Sequence, residues 1–498
     1  MKDPVRVTPL VSSSPAITPE SPAAGPVLKT PEHSSVSKPL TLGEKIGYGS
    51  GGIAFVLAYS LLSQLAFPIF NISLGMNATL VGVALAVGRF WDAITDPVMG
   101  WFSDNARTPW GRRCPFILLG GLLCALTFPL FWFISRGWPE WGQFAWLTGC
   151  IILYYTSTTV FCVPYLSLGY ELNPDPIERT RLQAWSTYFI AAVSLGMPWI
   201  YRGAQSEVFP DTLTGMRWLG VLCGVVFFAS ALPVFLGCRE PRDASALQGE
   251  KSSFWNGFVL TLSNRPFVLL VLGVVTTMLA VPTLIGSLAV YINTYYIFNG
   301  DTKTGAAYAA AFTTLYYIVK FTILPFSVKL VARFGKIRVM QGALWVGIFG
   351  SISQYFLYTP AAPWLQFVTA LFLSPALTCF WLLVNPMKAD CTDYDEWKTG
   401  QRRSGSYAAV ANWMEKMAMS VFLVFSGMLL DWSGFDPALG AAQAEQTTWI
   451  WRMAFAGVPA TGYAIALVCL HFYPLTDEKM SAIRADLEAR NILQEQAP

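Results

Sequence analysis

Residues 79–103 read TLVGVALAVGRFWDAITDPVMGWFS. The stretch is long enough and apolar enough at both ends to cross a bilayer, since a spanning helix needs about 20 mostly apolar residues. Its middle nevertheless carries Arg89, Asp92 and Asp96. A charged group at mid-membrane costs about 2.5–3.5 kcal/mol on insertion scales, so each of the three needs a partner or a task. At about 100° per residue they fall within roughly 60° of arc, one charged stripe with Thr95 at its margin. Arg89 and Asp92 stand one turn apart and are spaced to pair, and Asp92 and Asp96 are also one turn apart. Two carboxylates that close in a low-dielectric site cannot both stay ionised without compensation. If Arg89 neutralises one, the other calls for a metal cation or a proton. Such a site takes up Na+ or H+ and releases it only when its surroundings change, which is the physical basis of coupled transport. Carboxylate and hydroxyl oxygens suit a hard cation.

The composition of the whole chain agrees with a membrane setting. Its 498 residues are 54% hydrophobic and only 13% charged, with a net charge of +3, where soluble proteins average about 25% charged. A water-soluble enzyme, a disordered chain and a nucleic-acid binder are all disfavoured, the last because +3 supplies no basic stripe for phosphates. The nine cysteines are scattered and form no CxxC pair, so neither a zinc ribbon nor a disulfide framework is indicated. His33 and His471 are the two histidines, and no HExxH is present, which removes the usual metalloprotease and His-based hydrolase chemistries. No enzyme and no cofactor is expected, only a coupling ion.

Apolar stretches recur outward from the charged one. The expected spans are 46–70, 79–103, 114–135, 143–170, 182–201 and 217–236, then 266–298, 304–330, 337–357, 363–388, 406–431 and 449–473. Prolines inside them do not argue against helices in a membrane. This gives an all-α membrane protein of twelve helices in two six-helix bundles. The expected layout is a Pro/Ser/Thr-rich tail at 1–40, bundles at 41–237 and 266–474, a central loop at 238–265 and a tail at 475–498. Lys and Arg are concentrated in alternate loops, about seventeen on one side against roughly three on the other. The basic side is the cytoplasmic one by that rule, so both termini face the cytoplasm of a cell (inner) membrane. Trp110-Gly111-Arg112-Arg113 after span 2 is echoed by Phe334-Gly335-Lys336-Ile337-Arg338 after span 8, as a parallel repeat of the halves requires. The remaining intramembrane charges are Lys320 in span 8, expected to be structural or snorkelling, and the adjacent Glu415 and Lys416 in span 11. Lys416 is expected to face the central cavity, with a local pairing to Glu415 as the alternative.

Two stretches, GRFWDAITDPVMG at 88–100 with WGRRCPF at 110–116, and ADCTDYDEWKTG at 389–400, resemble the glycoside–pentoside–hexuronide:cation symporters, the melibiose-carrier-like branch of the major facilitator superfamily. The likeness extends from about Thr41 to Pro474. It implies a major facilitator fold, alternating access and symport of a sugar or glycoside with Na+ or H+, the carrier being a monomer. It also implies that Asp92, Asp96, Thr95 and Thr159 form the cation site. Arg89, Trp381, Lys416, Cys162 and Asn412 are then the expected substrate contacts. Asp104, Arg107, Arg112 and Arg113 resemble the superfamily's loop signature and are expected to gate, with Asp390, Asp393, Glu396 and Lys398 as their counterpart between the halves. The chain departs from the family where sugar hydroxyls are gripped: Val56 and Cys162 stand where aspartates are expected, Leu166 replaces a tryptophan and Thr187 an arginine. A melibiose-type site is therefore not expected. A different glycoside, a uronate-like sugar or a non-sugar amphipath such as a lysolipid fits those replacements.

Overall fold

The structure, a computed structural model, describes residues 40–173, 176–238, 261–280, 288–400 and 403–495. Residues 1–39 of the expected tail and 239–260 of the central loop lie outside the described residues. Among the described residues fourteen α-helices follow one another and no strand occurs. They are α1 (Leu42–Ala66), α2 (Ala78–Asn105), α3 (Cys114–Leu130), α4 (Glu140–Glu171), α5 (Pro176–Gly196), α6 (Trp199–Ala204) and α7 (Thr212–Gly237). The second half supplies α8 (Arg265–Thr277), α9 (Thr302–Phe334), α10 (Lys336–Leu357), α11 (Gln366–Thr399), α12 (Ser404–Trp432), α13 (Glu445–His471) and α14 (Asp477–Glu495). Eight of the described helices are long and apolar enough to cross a membrane.

Local chemistry sets the helix starts. Thr41 and Glu44 form a capping box at α1, and Asn77, Asp211, Asn264 and Asp301 cap α2, α7, α8 and α9 with their side chains. Each satisfies a backbone N–H that the helix leaves without a partner. Two features were not legible in the sequence. Helix α1 ends in a π-helical segment, Phe67–Ser73, and the corresponding seventh span ends in another, Ile292–Ile297. The two halves thus repeat each other in a distortion as well as in loop motifs.

Helices α1–α5 and α7 pack on one another, as do α8–α13, and the most extensive single helix contact joins α2 to α12 across the two sets. That contact is close because it is made over glycines. A methyl group on Gly82 would run into the Leu423 carbonyl, and one on Gly427 into the Ala78 carbonyl. At the face away from the basic loops the sets are tied polar group to polar group. Asp431 of α12 accepts the N–H groups of Ala78 (3.1 Å) and Thr79 (2.7 Å) at the start of α2. Tyr291 donates to Asn71 at 2.6 Å, and Trp199 donates to Thr314 at 2.9 Å. A single buried apolar cluster runs through this face, from Phe67 and Leu85 to Tyr291, Leu423 and Trp451. At the basic face a separate cluster belongs to the second set alone. At the far face the two sets are therefore in direct contact, and the Asp431 cap is one of the ties between them.

Asp431→Ala removes a carboxylate from a helix N-terminus, a change worth about 1 kcal/mol. The expected outcome is a roughly five-fold shift toward opening of the far face, read as faster labelling of a cysteine placed at Thr79. An unchanged labelling rate would mean that the cap does not hold this face shut.

The C-terminal segment, expected as a tail, is a helix docked by Leu475, Met480 and Ile483 against the second set. Arg484 of α14 holds Asp390 (2.6 Å) and Asp393 (3.2 Å) of α11.

Candidate functional site

Asp92 and Asp96 lie at mid-length of α2, about 21–27 Å of helix from its start at 1.5 Å per residue. Thr159 of α4 sits between them. Its hydroxyl is 3.1 Å from Asp92 Oδ1, 3.2 Å from Asp96 Oδ1 and 3.1 Å from the Thr95 hydroxyl. One hydroxyl has one proton to give. Four oxygens therefore crowd together with too few protons between them, and the Thr95 hydroxyl itself leans on the Trp91 and Asp92 carbonyls (3.2 and 3.4 Å). This donor-poor, oxygen-rich cluster is the chemistry a hard monovalent cation or an added proton satisfies.

The other carboxylate oxygens face the opposite way. Lys416 of α12 reaches across from the second helix set, placing Nζ 2.7 Å from Asp92 Oδ2 and in direct contact with Asp96 Oδ2. The side chain of Asp92 is 4% exposed and that of Asp96 27%, so one carboxylate is sealed and the other can be reached from outside. Two carboxylates against one ammonium leave the contact cluster with one net negative charge.

The expected Arg89–Asp92 pairing is corrected by this geometry. Arg89 donates to the Tyr59 carbonyl at 2.7 Å and lies over the rings of Tyr59 (5.6 Å) and Tyr155 (5.1 Å). Helical side chains lean toward the N-terminus of their helix, so Arg89 leans away from a partner that follows it by three residues. The charge that compensates the aspartates comes instead from Lys416, 320 positions on from Asp96. The alternative of a Glu415–Lys416 pair is also excluded. Neighbours on a helix point about 100° apart, and Glu415 pairs with Lys388 at 2.6 Å.

The remaining expected contacts fall elsewhere. Trp381 lines a cavity of about 280 Å³ bounded by α1, α6, α9, α10, α11 and α13. Cys162 is buried at 2% exposure in the first apolar cluster, and Asn412 is exposed; neither lines that cavity. Lys320, expected to be structural or to snorkel, lines it beside Trp381.

The loop residues form two separate clamps. Glu171 at the end of α4 takes Arg112 (2.7 Å) and Arg113 (2.6 Å), and Arg113 also takes Asp104 (2.9 Å). On the second set Asp390 takes both Lys336 and Arg484, and Asp395 takes Arg403 at 2.8 Å. Arg107 and Lys398 are exposed and make no ion pair among the described residues. Among those residues the ion pairs at the basic face stay within one helix set. Glu171, Asp395, Arg484 and Asp431 were missed in the sequence. A charge at a span end reads as topology, and only a partner distant in sequence shows otherwise.

The chain's relatives agree with this architecture. It is 25% identical to a putative glycoside/cation symporter of Escherichia coli over 90% of this chain and 95% of that one. It is 23% identical to a putative sulfoquinovose importer of the same organism, covering 92% and 96%. It is 24% identical to a sodium-dependent lysophosphatidylcholine symporter of Danio rerio, covering 92% and 91%. Among solved structures, a D-xylose–proton symporter superposes with a TM-score of 0.64 at 15% identity, over 87% of this chain and 98% of that one. The nucleoside transporter NupG gives 0.63 at 12%, over 86% and 100%. Those likenesses establish the major facilitator fold. The sequence pattern of one family runs through residues 47–477, nearly the whole of both helix sets. The chain therefore belongs to the MFS/sugar transport protein family, and it is a multi-pass membrane transporter rather than an enzyme.

Proposed function

We propose that this chain is a secondary active symporter that moves a sugar or glycoside together with one Na+ or H+ by alternating access. The observation that carries the reading is the convergence of Asp92 Oδ1 and Asp96 Oδ1 on the Thr159 hydroxyl (3.1 and 3.2 Å), with Lys416 of the other helix set against the opposite oxygens. With Lys416 in place the cluster is one positive charge short of neutrality. One monovalent cation closes the deficit, and a second would reopen it with the opposite sign. Lys416 also ties the ion's charge to the relative position of the two helix sets, which is what coupling requires. The cation is cargo, bound between Asp92, Asp96, Thr95 and Thr159.

The substrate cavity is the space lined by Trp381. Its indole offers a flat face to the C–H side of a sugar ring. The glycoside/cation relative supports a carbohydrate, although the sodium-dependent lysophosphatidylcholine relative keeps a lipid-like solute as an outcome of the test. The basic face is cytoplasmic, so the far-face closure is an inward-facing state of an inner-membrane protein with both termini inside, working as a monomer. The Glu171 and Asp390 clamps hold helix ends within each bundle, boundaries 41–237 and 266–474, and the exposed Arg107 and Lys398 are available to bridge the bundles when the basic face closes.

The test is uptake into proteoliposomes of labelled methyl glycosides, their uronates and lysophosphatidylcholine, each with an imposed Na+ gradient, an imposed proton gradient or neither. Carbohydrate accumulation that needs one of the gradients is the expected result. Carbohydrate entry at the same rate without any gradient would overturn coupling, and gradient-driven entry of lysophosphatidylcholine alone would overturn the cargo.

A further inference from the structure

The cavity of about 280 Å³ is walled mostly by apolar side chains, among them Phe312, Leu377 and Phe455. Such cavities take their specificity from a few placed polar groups, and here two of those groups lack partners. Lys320 lies near the middle of α9, about 21 Å of helix from its C-terminal end. That is further than a lysine side chain reaches, so its ammonium cannot snorkel to water at the membrane surface. No carboxylate stands within ion-pair distance of Lys320 Nζ among the described residues, and its described neighbour is the ring of Tyr317 at 5.7 Å. The second group is Gln354 of α10, 4% exposed, whose Oε1 has no hydrogen-bond partner among the described residues. A buried acceptor without a donor is costly to keep.

The two groups ask for complementary things. The ammonium asks for an anion, and the amide oxygen asks for a hydroxyl or N–H donor. Trp381 lines the same cavity and offers an aromatic face. None of Asp92, Asp96 and Lys416 lines it, so the Lys320 charge is not used by the cation cluster.

We propose that Lys320 is the anchor of an oxyanion subsite, and that the transported solute is a polyhydroxylated acid. Its carboxylate, sulfonate or phosphate binds the Lys320 ammonium, and one of its hydroxyls donates to Gln354. This assignment rests on the carbohydrate reading above and narrows it. It gives the lysine a task that neither packing nor topology supplies. It also accounts for a site without substrate-binding carboxylates, since an acidic solute would be repelled by them.

The test uses the purified full chain in detergent with Na+ present. The ligands are matched pairs: methyl glucoside and methyl galactoside against their uronates, and glucose against its 6-sulfo and 6-phospho forms. Binding is read by thermal shift and by tryptophan fluorescence. At least one acidic member is expected to bind at least ten-fold tighter than its neutral partner, the identity of the acid telling carboxylate from sulfonate from phosphate. Lys320→Gln is expected to abolish that preference by weakening the acidic member far more than the neutral one, and Lys320→Arg to retain part of it. Gln354→Leu is expected to weaken both members of a pair alike. Equal binding within every pair, or an unchanged preference in Lys320→Gln, would overturn the subsite while leaving carbohydrate symport standing. If no sugar binds, charged or neutral, while Na+ still stabilises the protein, the carbohydrate reading itself fails and the subsite fails with it. The Na+-induced shift in Lys320→Gln should match the wild type, which separates a lost subsite from a misfolded protein.

Discussion

Asp92→Asn is expected to abolish cation-driven accumulation while leaving a folded carrier that still exchanges solute across the membrane. The reason is charge arithmetic at a sealed position. Asp92 is almost fully buried, with one oxygen on Thr159 and the other on Lys416. An amide has nearly the same shape but no charge. What remains is the Asp96–Lys416 pair, already neutral, with nothing left to attract a cation. Losing a charged ligand in a low-dielectric site is worth about 3 kcal/mol, and tenfold is about 1.4 kcal/mol. Cation affinity should therefore fall on the order of 100-fold. Asp96→Asn should act in the same direction but less, about ten-fold at the same conversion, because the Asp96 side chain is 27% exposed and water shares its charge. Cation titrations of uptake and of thermal stability read both effects. A wild-type half-saturation in Asp92→Asn would be incompatible with the proposed site.

Lys416→Met should produce the second large effect, of a different kind. It leaves two neighbouring carboxylates with no ammonium against them. Removing one partner from a buried ion cluster costs about 3–5 kcal/mol. In cation-free buffer at neutral pH the variant should melt well below the wild type. Added Na+, or acid sufficient to protonate one carboxylate, should restore much of the loss. The transport consequence follows from the same charges. In the wild type Lys416 limits the cation-free cluster to one uncompensated negative charge, so the empty carrier can return. Without it the empty carrier holds two uncompensated charges and its return step slows. Net uptake should be lost and exchange of internal for external solute kept. A melting temperature that neither Na+ nor acid raises, or wild-type net uptake, would remove Lys416 from this role.

The charged stripe of α2 was legible in the sequence because mid-membrane charge is expensive and three charges in two turns cannot be accidental to the fold. Thr159 and Trp381 came from resemblance to a family, and the structure brings the first of them between the two aspartates. The partner of the stripe was misread. Arg89 is the near neighbour in sequence, but the lean of helical side chains turns it toward Tyr59, and the compensating charge arrives from α12. Spacing along one helix reports which residues share a face; it does not report what the opposite helix supplies. The π-helical ends of spans 1 and 7 left no composition signal either, since both stretches mix apolar and aromatic residues with a few small polar ones, as an ordinary span end does. Lys320 illustrates the same limit from the other side. A lone lysine in a span reads as a structural exception until the cavity beside it is seen.

The most direct measurement is the simultaneous uptake of labelled cation and labelled solute by the wild type and Asp92→Asn in the same proteoliposomes. Cation entry in fixed proportion to solute is expected for the wild type, one cation per solute, with no solute-dependent cation entry in Asp92→Asn. Solute entry unaccompanied by any cation, or solute-dependent cation entry that survives Asp92→Asn, would contradict coupling at the Asp92–Asp96–Thr159 cluster.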